Sequence, residues 1–342
     1  MLHRYRALFL ALSVAILLLL AYTAWWSALS GRVRTALAQA PGKALAEKGI
    51  ILDIRDAVIG GFPLSVTVEI SGARAQWPTG TVLELGAVTA SAFAWDPTAI
   101  SVTSSAPLRL DLAGSARHDP VSGTASALSL QADLGLDGKP RRVAGSLTGI
   151  RTLTAMPWAA ASATVTWTAP AQQPEGPTDP QGQVSLVISD LDLPGAVPAP
   201  LKRRIEQISL SYEPRGPLPA KPSVAGMTAW RDGGGTLEIL GARVLWSGMD
   251  LRANATIALD SAMQPEGAGA AELSGGQTLI DMVAQSGNVK PEQVEAVKAG
   301  LSMLSKRTDD GRNVLRVPVT LQNSRLFVGP LHVATLPPIP WN

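Results

Sequence analysis

Three histidines (His3, His118 and His332), 27 Asp and Glu residues and no cysteine are what the chain offers to acid–base, nucleophilic or metal chemistry. Without cysteine there is no thiol nucleophile, disulfide or thiolate metal site, and histidines so far apart do not make a metal-ligand spacing. His118 stands beside Asp119, but neighbours on a strand point to opposite faces, and Ala116 to Pro120 reads as a turn. No Gly-x-Ser-x-Gly elbow supplies a nucleophile. His332 lies in an apolar strand between Leu331 and Val333. Asp190 and Asp192 fall on one face of a strand, a weak hint of glycosidase or protease chemistry that lacks a partner set. Asp309-Asp310-Gly311-Arg312-Asn313 lacks the loop spacing and closing glutamate of a calcium loop and reads as a hairpin turn. Asp232-Gly233-Gly234-Gly235 leads into a strand pattern, not into Gly-Lys-Ser/Thr, and reads as a tight turn. The residues therefore nominate no catalytic group, no metal and no cofactor, and the expectation is a protein that is not an enzyme.

Binding chemistry is better represented. Lys202, Arg203 and Arg204 form a basic set that could meet anionic lipid headgroups or simply be a solvated turn after Pro198 and Pro200. Nine tryptophans outnumber four phenylalanines, and Trp77, Trp95, Trp158, Trp167, Trp230, Trp246 and Trp341 could line a ligand surface or pack in a core with one bonded indole each. A formal net charge of +2 with 16% charged residues argues against a nucleic-acid binder that works by charge.

The elements that must position these residues begin with an anchor. Ala7 to Trp26 is 20 residues without a charge, the length of helix that matches a hydrocarbon core of roughly 30 Å. His3, Arg4 and Arg6 precede it, and Tyr22, Trp25 and Trp26 close it, where aromatic rings favour the headgroup layer. Arg32 and Arg34 follow, so the charge bias is small, but a cytoplasmic N-terminus with the body outside fits best. A cleaved signal peptide is the competing reading. The stretch is longer than the usual apolar region of such a peptide, and no small-x-small site follows directly, so an uncleaved anchor over residues 1–26 is preferred. Residues 27–49, with Val33, Leu37, Ala40 and Ala44 at helical spacing around Pro41-Gly42, read as a kinked helix or two short ones leading from the bilayer.

After Gly49 the period changes to two. Leu64, Val66, Val68 and Ile70 alternate with polar residues, and the same pattern returns in Leu108 to Leu112, Val184 to Ile188, Ile208 to Tyr212, Leu251 to Leu259 and Leu315 to Leu321. With 32 Gly and 26 Pro punctuating the runs, a mainly β, extended, antiparallel, curved sheet is expected, with a few short helices. The Pro- and Gly-rich stretch Ala169 to Gly182 is the candidate boundary between a first β-rich half, 50–168, and a second, 183–342. Pro214 to Pro222 is a second stretch of that kind. A helical hairpin is expected over 278–305, broken at Gly287-Asn288. The halves look alike: Gly80-Thr81-Val82-Leu83-Glu84-Leu85-Gly86-Ala87 leads to Trp95, and Gly235-Thr236-Leu237-Glu238-Ile239-Leu240-Gly241-Ala242 leads to Trp246.

Three phrases in order carry a resemblance that covers nearly the whole chain: Gly60-Gly61-Phe62-Pro63-Leu64, Ala258-Leu259-Asp260-Ser261-Ala262-Met263-Gln264-Pro265-Glu266-Gly267, and Leu326-Phe327-Val328-Gly329-Pro330 with Leu336-Pro337-Pro338. They resemble bacterial domain-of-unknown-function family 2125, known mainly from alphaproteobacteria. Through the anchor, the helix and the Gly-Phe-Pro entry, the chain is also similar to the AsmA-like envelope proteins. That wider resemblance implies a one-pass inner-membrane protein facing the periplasm, with a curved sheet whose apolar face holds lipid chains. Neither resemblance implies a catalytic residue.

The residues themselves leave two architectures open. An antiparallel sheet with few helices must close on itself, pack on a second sheet or leave an apolar groove. The groove would present Leu64, Val66, Val68, Ile70, Leu251, Ala253, Ala255 and Ile257 to phospholipid or other acyl chains. The closed form would make the chain an envelope scaffold whose partner is another protein.

Overall fold

The computed structural model describes residues 2–39, 49–114, 120–197, 199–219, 223–275, 305–307, 313–329, 331–339 and 341, excluding the side chains of 2–16, 305–307, 313 and 331. Its contacts divide it into two units, Met1–Pro140 and Arg141–Asn342.

In the first unit a helix, α1 (Leu2–Gln39), runs unbroken through the expected anchor and into the segment behind it. The side chains of Ala7–Ile16 lie outside the described residues. Among the described residues no helix is long and apolar enough to cross a membrane. Leu17, Leu18, Leu19 and Leu20 are each about three-fifths exposed. From Tyr22 a stripe at helical spacing turns towards the body, and Ser30 on it is buried. Trp25 Nε1 donates to the Ala94 carbonyl at 2.9 Å and Trp26 Nε1 to the Ser65 carbonyl at 2.8 Å, while the Tyr22 hydroxyl donates to the Pro63 carbonyl. Phe62 meets Trp26 edge to face at 5.3 Å. The aromatic residues expected at the headgroup layer thus have partners in the protein.

Eight strands follow: β1 (Ile51–Gly60), β2 (Ser65–Gln76), β3 (Val82–Leu85), β4 (Val88–Phe93), β5 (Asp96–Ser104), β6 (Leu108–Leu112), β7 (Val121–Ala125) and β8 (Ala127–Leu134). All described pairings among them are antiparallel. β2 pairs β1 on one side and both β3 and β4 on the other; β3 and β4 then pair β6 and β5, which pair β7 and β8. These are three long strands, each broken once, at Gly86-Ala87, at Ser105 to Pro107 and at Ser126. The breaks adjoin in register, since Leu85 faces Leu108 and Leu108 faces Ala125. Gly86 is required there, because a Cβ would come within 2.5 Å of Ala106 Cβ. Ser104, 2% exposed, ties the break together through its Oγ at 2.8 Å from the Ala87 carbonyl.

The second unit contains β9 (Pro140–Thr152), β10 (Ala159–Thr168), β11 (Gln183–Asp192), β12 (Arg204–Arg215), helix α2 (Val224–Asp232), β13 (Thr236–Trp246), β14 (Met249–Leu259), β15 (Pro265–Ser274), β16 (Ser305–Arg307), β17 (Asn313–Gln322), β18 (Arg325–Val328) and β19 (Leu331–Thr335). β9 to β15 form an antiparallel meander, continued through β17, β18 and β19. β16 pairs with the start of β17. The Ala169–Gly182 stretch, expected as the boundary between the halves, instead joins β10 to β11, which pair over nine residue positions; the division of contacts falls at Pro140–Arg141. Pro- and Gly-rich composition signals a turn, and a long hairpin loop needs the same residues as a linker. The helical hairpin expected over 278–305 lies outside the described residues up to Leu304, and Ser305 begins a strand.

The repeated phrase occupies comparable places. In the first unit it is the turn at Gly80, β3 and the break at Gly86-Ala87 ahead of β4, with Trp95 at the following turn. In the second it is the first half of β13, with a register shift between Ile239 and Ala242 at the corresponding Gly241 and Trp246 at the strand end.

Helix α2 has no counterpart among the elements expected from the sequence. Ser223 caps it, its hydroxyl accepting from the Gly226 N–H, and Gly233 ends it. The triple glycine after Asp232 therefore turns a helix into β13. Met227 and Trp230, three apart on one helix face, join Leu259 and Met263 in a buried cluster, with Trp341 packed against it. Elsewhere burial is shallow, and no large side chain among the described residues is fully buried.

Candidate functional site

Residues directly opposite in an antiparallel pair share a face of the sheet, so the registers of the second unit divide its residues into two faces. One row runs Leu147, Ala163, Ile188, Ile208, Val244, Leu251, Leu273, Leu315 across eight strands. The next runs Gly145, Val165, Leu186, Leu210, Ala242, Ala253, Ala271, Val317, and a third Val143, Trp167, Val184, Tyr212, Ile239, Ala255, Gly269, Val319. None of these 24 positions carries a charge. At about 4.8 Å per strand and about 6.8 Å per row, the patch covers on the order of 500 Å2, the upper end of the apolar patches that monomers expose. Most of its residues are half-buried among their neighbours; Val165 is 46% and Leu251 40% exposed. The helix α2, nine residues long, is too short to cover more than one end of it.

The opposite face is wet. Its middle row is Ser146, Thr164, Val187, Ser209, Arg243, Arg252, Glu272 and Arg316, and Ser185 Oγ lies 3.1 Å from Ser211 Oγ. Asp250 receives Arg243 on both oxygens, at 2.8 and 2.9 Å, and Arg252 at 2.8 Å. These guanidinium hydrogen bonds, Arg243 first, hold the Asp250 carboxyl far below the ordinary carboxylate range against the opposing effect of its burial. Its side chain is 13% exposed, so Asp250→Asn is expected to cost roughly 2 kcal/mol at neutral pH. Because the folded-state pKa is lowered, that stabilisation is fully present above the ordinary value of 3.8 and lost as pH falls through the folded value. Urea titrations of both proteins at pH 7 and pH 3 check this: the difference should shrink at the lower pH, and an equal difference at both would contradict it.

At one end of the apolar face the sheet is roofed. Met227 and Trp230 of α2, with Leu218, Ile339 and Trp341, share with Leu237, Ile257 and Leu259 the lining of a half-open cavity of about 490 Å3 that also reaches Trp167, Val184 and Tyr212 of the third row. The roof is fastened by side chains: Trp230 Nε1 donates to the Arg215 carbonyl at 2.9 Å and Trp341 Nε1 to the Met263 carbonyl at 2.7 Å. Gln264 Oε1 accepts from the Ile339 N–H at 2.8 Å. Among the described residues no charged side chain lines the cavity.

A family model described as an uncharacterized protein conserved in bacteria (DUF2125) matches residues 26–337. The chain belongs to this family. No curated protein and no solved structure matches it. The DUF2125 match starts at Trp26, the indole that α1 sets on β2, and takes in the strands of the apolar face and the residues of the roof up to Pro337.

Within this DUF2125 chain the residues expected to face lipid have different fates. Leu251, Ala253, Ala255 and Ile257 lie on the apolar face, the last of them at the cavity. Leu64 is in the turn before β2 and is 61% exposed, whereas Val66 and Val68, on β2 where α1 packs, are only 5% and 8% exposed and offer little surface to a ligand. Alternation tells which residues share a face but not what covers that face. Asp192 is held by Arg204, Nε to Oδ1 at 2.9 Å and Nη2 to Oδ2 at 2.8 Å, and its pKa is lowered by those bonds. Asp190 has φ 50°, and the pairing of β11 with both neighbours keeps its register through that position, so it falls on the same side of the strand as Asp192. Arg203 is bonded to the Leu193 carbonyl and Arg204 to Asp192, so two of the three basic residues have partners. His332 Nε2 lies 3.1 Å from Thr335 Oγ1. His118, Asp119 and Asp309 to Arg312 lie outside the described residues, and among those described no group of three or more His, Cys, Asp or Glu could hold a metal. The cavity escaped sequence reasoning because Met227 and Trp230 follow a Pro-rich stretch read as linker; the signal available was Ser223 ahead of a Met-x-x-Trp spacing.

Proposed function

We propose that the chain is a non-catalytic, acyl-chain-binding protein of the bacterial cell envelope, held in the inner membrane by α1 with its body in the periplasm. The observation that carries the reading is the three charge-free rows across β9 to β17, opposed by a wet face and covered, by the described residues of this unit, at one end. Burial of apolar area is non-directional, so such a face binds chains of methylenes with a gain of about 0.8 kcal/mol for each methylene removed from water. The anchor is supported by the 20 uncharged residues Ala7–Trp26 and by the exposure of Leu17 to Leu20. The AsmA-like resemblance supports the same orientation and the use of an extended, curved sheet for lipid.

Native mass spectrometry of the full chain from membranes, paired with solvent extraction, tests this. Phospholipid or another acyl lipid should leave with the protein in stoichiometric amount and be released by the solvent. A chain that emerges free of lipid and takes up no added phospholipid would refute it and favour a scaffold bound to another protein.

A further inference from the structure

The cavity under α2 carries an inference about which lipids the apolar face accepts, and it rests on the acyl-binding reading above. Three tryptophans line the cavity. Trp230 and Trp341 each give their indole N–H to a backbone carbonyl. Trp167 makes no side-chain hydrogen bond with another described residue, and neither does Tyr212, although both line the same cavity. The two are related by register: Trp167 faces Val184, and Val184 faces Tyr212, so they stand two strands apart on one face, roughly 10 Å between their Cα positions. The indole nitrogen lies against Gly182, where an added Cβ would come within 2.8 Å of Nε1. Gly182, at φ 119°, adopts a backbone conformation that disfavours side chains, and its lack of one leaves the indole edge clear.

A donor in an apolar cavity selects for an acceptor in whatever covers it, since a bound chain that shields it from water without pairing it costs the free energy of its desolvation. An anionic acceptor fits poorly: among the described residues no Lys, Arg or His lines the cavity to offset the cost of burying its charge. We infer that the cavity holds the uncharged oxygen-bearing end of an acyl amphiphile, an ester carbonyl or hydroxyl accepting from Trp167 Nε1–H and Tyr212 O–H, with the chain laid along the apolar face. The ligand class is therefore a neutral glyceride or fatty ester in preference to a fatty-acid anion or bare hydrocarbon.

The test is a competition on the full chain, read by native mass spectrometry, among three probes with the same eighteen-carbon chain length (about the length of common membrane acyl chains): monooleoylglycerol, oleate and octadecene. Monooleoylglycerol should bind about tenfold more tightly than either of the others, the scale set by one to two hydrogen bonds of about 1 kcal/mol each. Tyr212→Phe, which removes one oxygen and keeps the ring, should lower monooleoylglycerol binding several-fold and leave octadecene unchanged; Trp167→Phe should act in the same direction. Equal binding of oleate and monooleoylglycerol, or a Tyr212→Phe chain that loses octadecene as much as monooleoylglycerol, overturns the inference and leaves the acyl-binding reading standing. Binding of none of the three overturns that reading as well.

Discussion

Replacing Trp230 by alanine is expected to destabilise the second unit by about 3–5 kcal/mol, the usual cost of truncating a buried tryptophan. The side chain is 6% exposed and sits with Met227, Leu259 and Met263 in the buried cluster. Its indole N–H also satisfies the Arg215 carbonyl at 2.9 Å, so the truncation removes a hydrogen bond as well as apolar contact. The fit around the ring is close: a Cβ on Gly235 would lie 2.3 Å from Cε2. Gly235→Val should therefore destabilise from the opposite direction, by overpacking, with a smaller loss of about 1–3 kcal/mol. Urea denaturation followed by tryptophan fluorescence measures both. A loss below about 1 kcal/mol for Trp230→Ala would mean that α2 rests on the sheet without contributing to its stability.

The second large effect separates an open face from a closed core. Val165→Glu together with Leu251→Glu puts two carboxylates on the rows that are otherwise free of charge. Both sites are substantially exposed, 46% and 40%, so the carboxylates reach water and the melting temperature should fall by only a few degrees, the scale of about 1 kcal/mol in a domain of this size. Acyl binding should fall more than tenfold, because each charge would have to be desolvated beneath a bound chain. Thermal melts and lipid-to-protein ratios on the same preparation give the two readings. A variant that unfolds would show the face to be a packed core; one that stays folded and keeps its lipid would place the acyl chains elsewhere.

Much of the strand content was legible. Val184 to Ile188, Ile208 to Tyr212, Leu251 to Leu259 and Leu315 to Leu321 alternate, Val187 and Ala258 apart, because one side of each is wet and the other apolar, and they lie in β11, β12, β14 and β17. The strands between them were harder to see. β15 has Gly267, Gly269 and Ala271 at its apolar-face positions, and β10 mixes Ala, Ser and Thr, so neither has the contrast that periodicity needs. The site was only half legible for the same reason. Leu251 and Ile257 announce a face, but its width comes from the register of eight strands, a long-range property that no local window contains. Trp167 and Tyr212 meet at one cavity although 44 positions separate them in the chain. The unsplit β13 and the split β3 and β4 show a further limit, since near-identical phrases are compatible with either a register shift or a full break.

The meander of the second unit also bears on how such a chain is made. From β9 to β15 each strand pairs with the one that precedes it in the chain, so every closure joins sequence neighbours and none waits for residues from the far end. A chain that becomes free to fold in the order of its sequence can add one hairpin at a time, completing each ladder before the next strand arrives. The roof breaks this order, since Trp341 must return to Met263, 78 residues before it in the chain. The apolar face can thus be laid down strand by strand, whereas the roof over its cavity waits for Trp341.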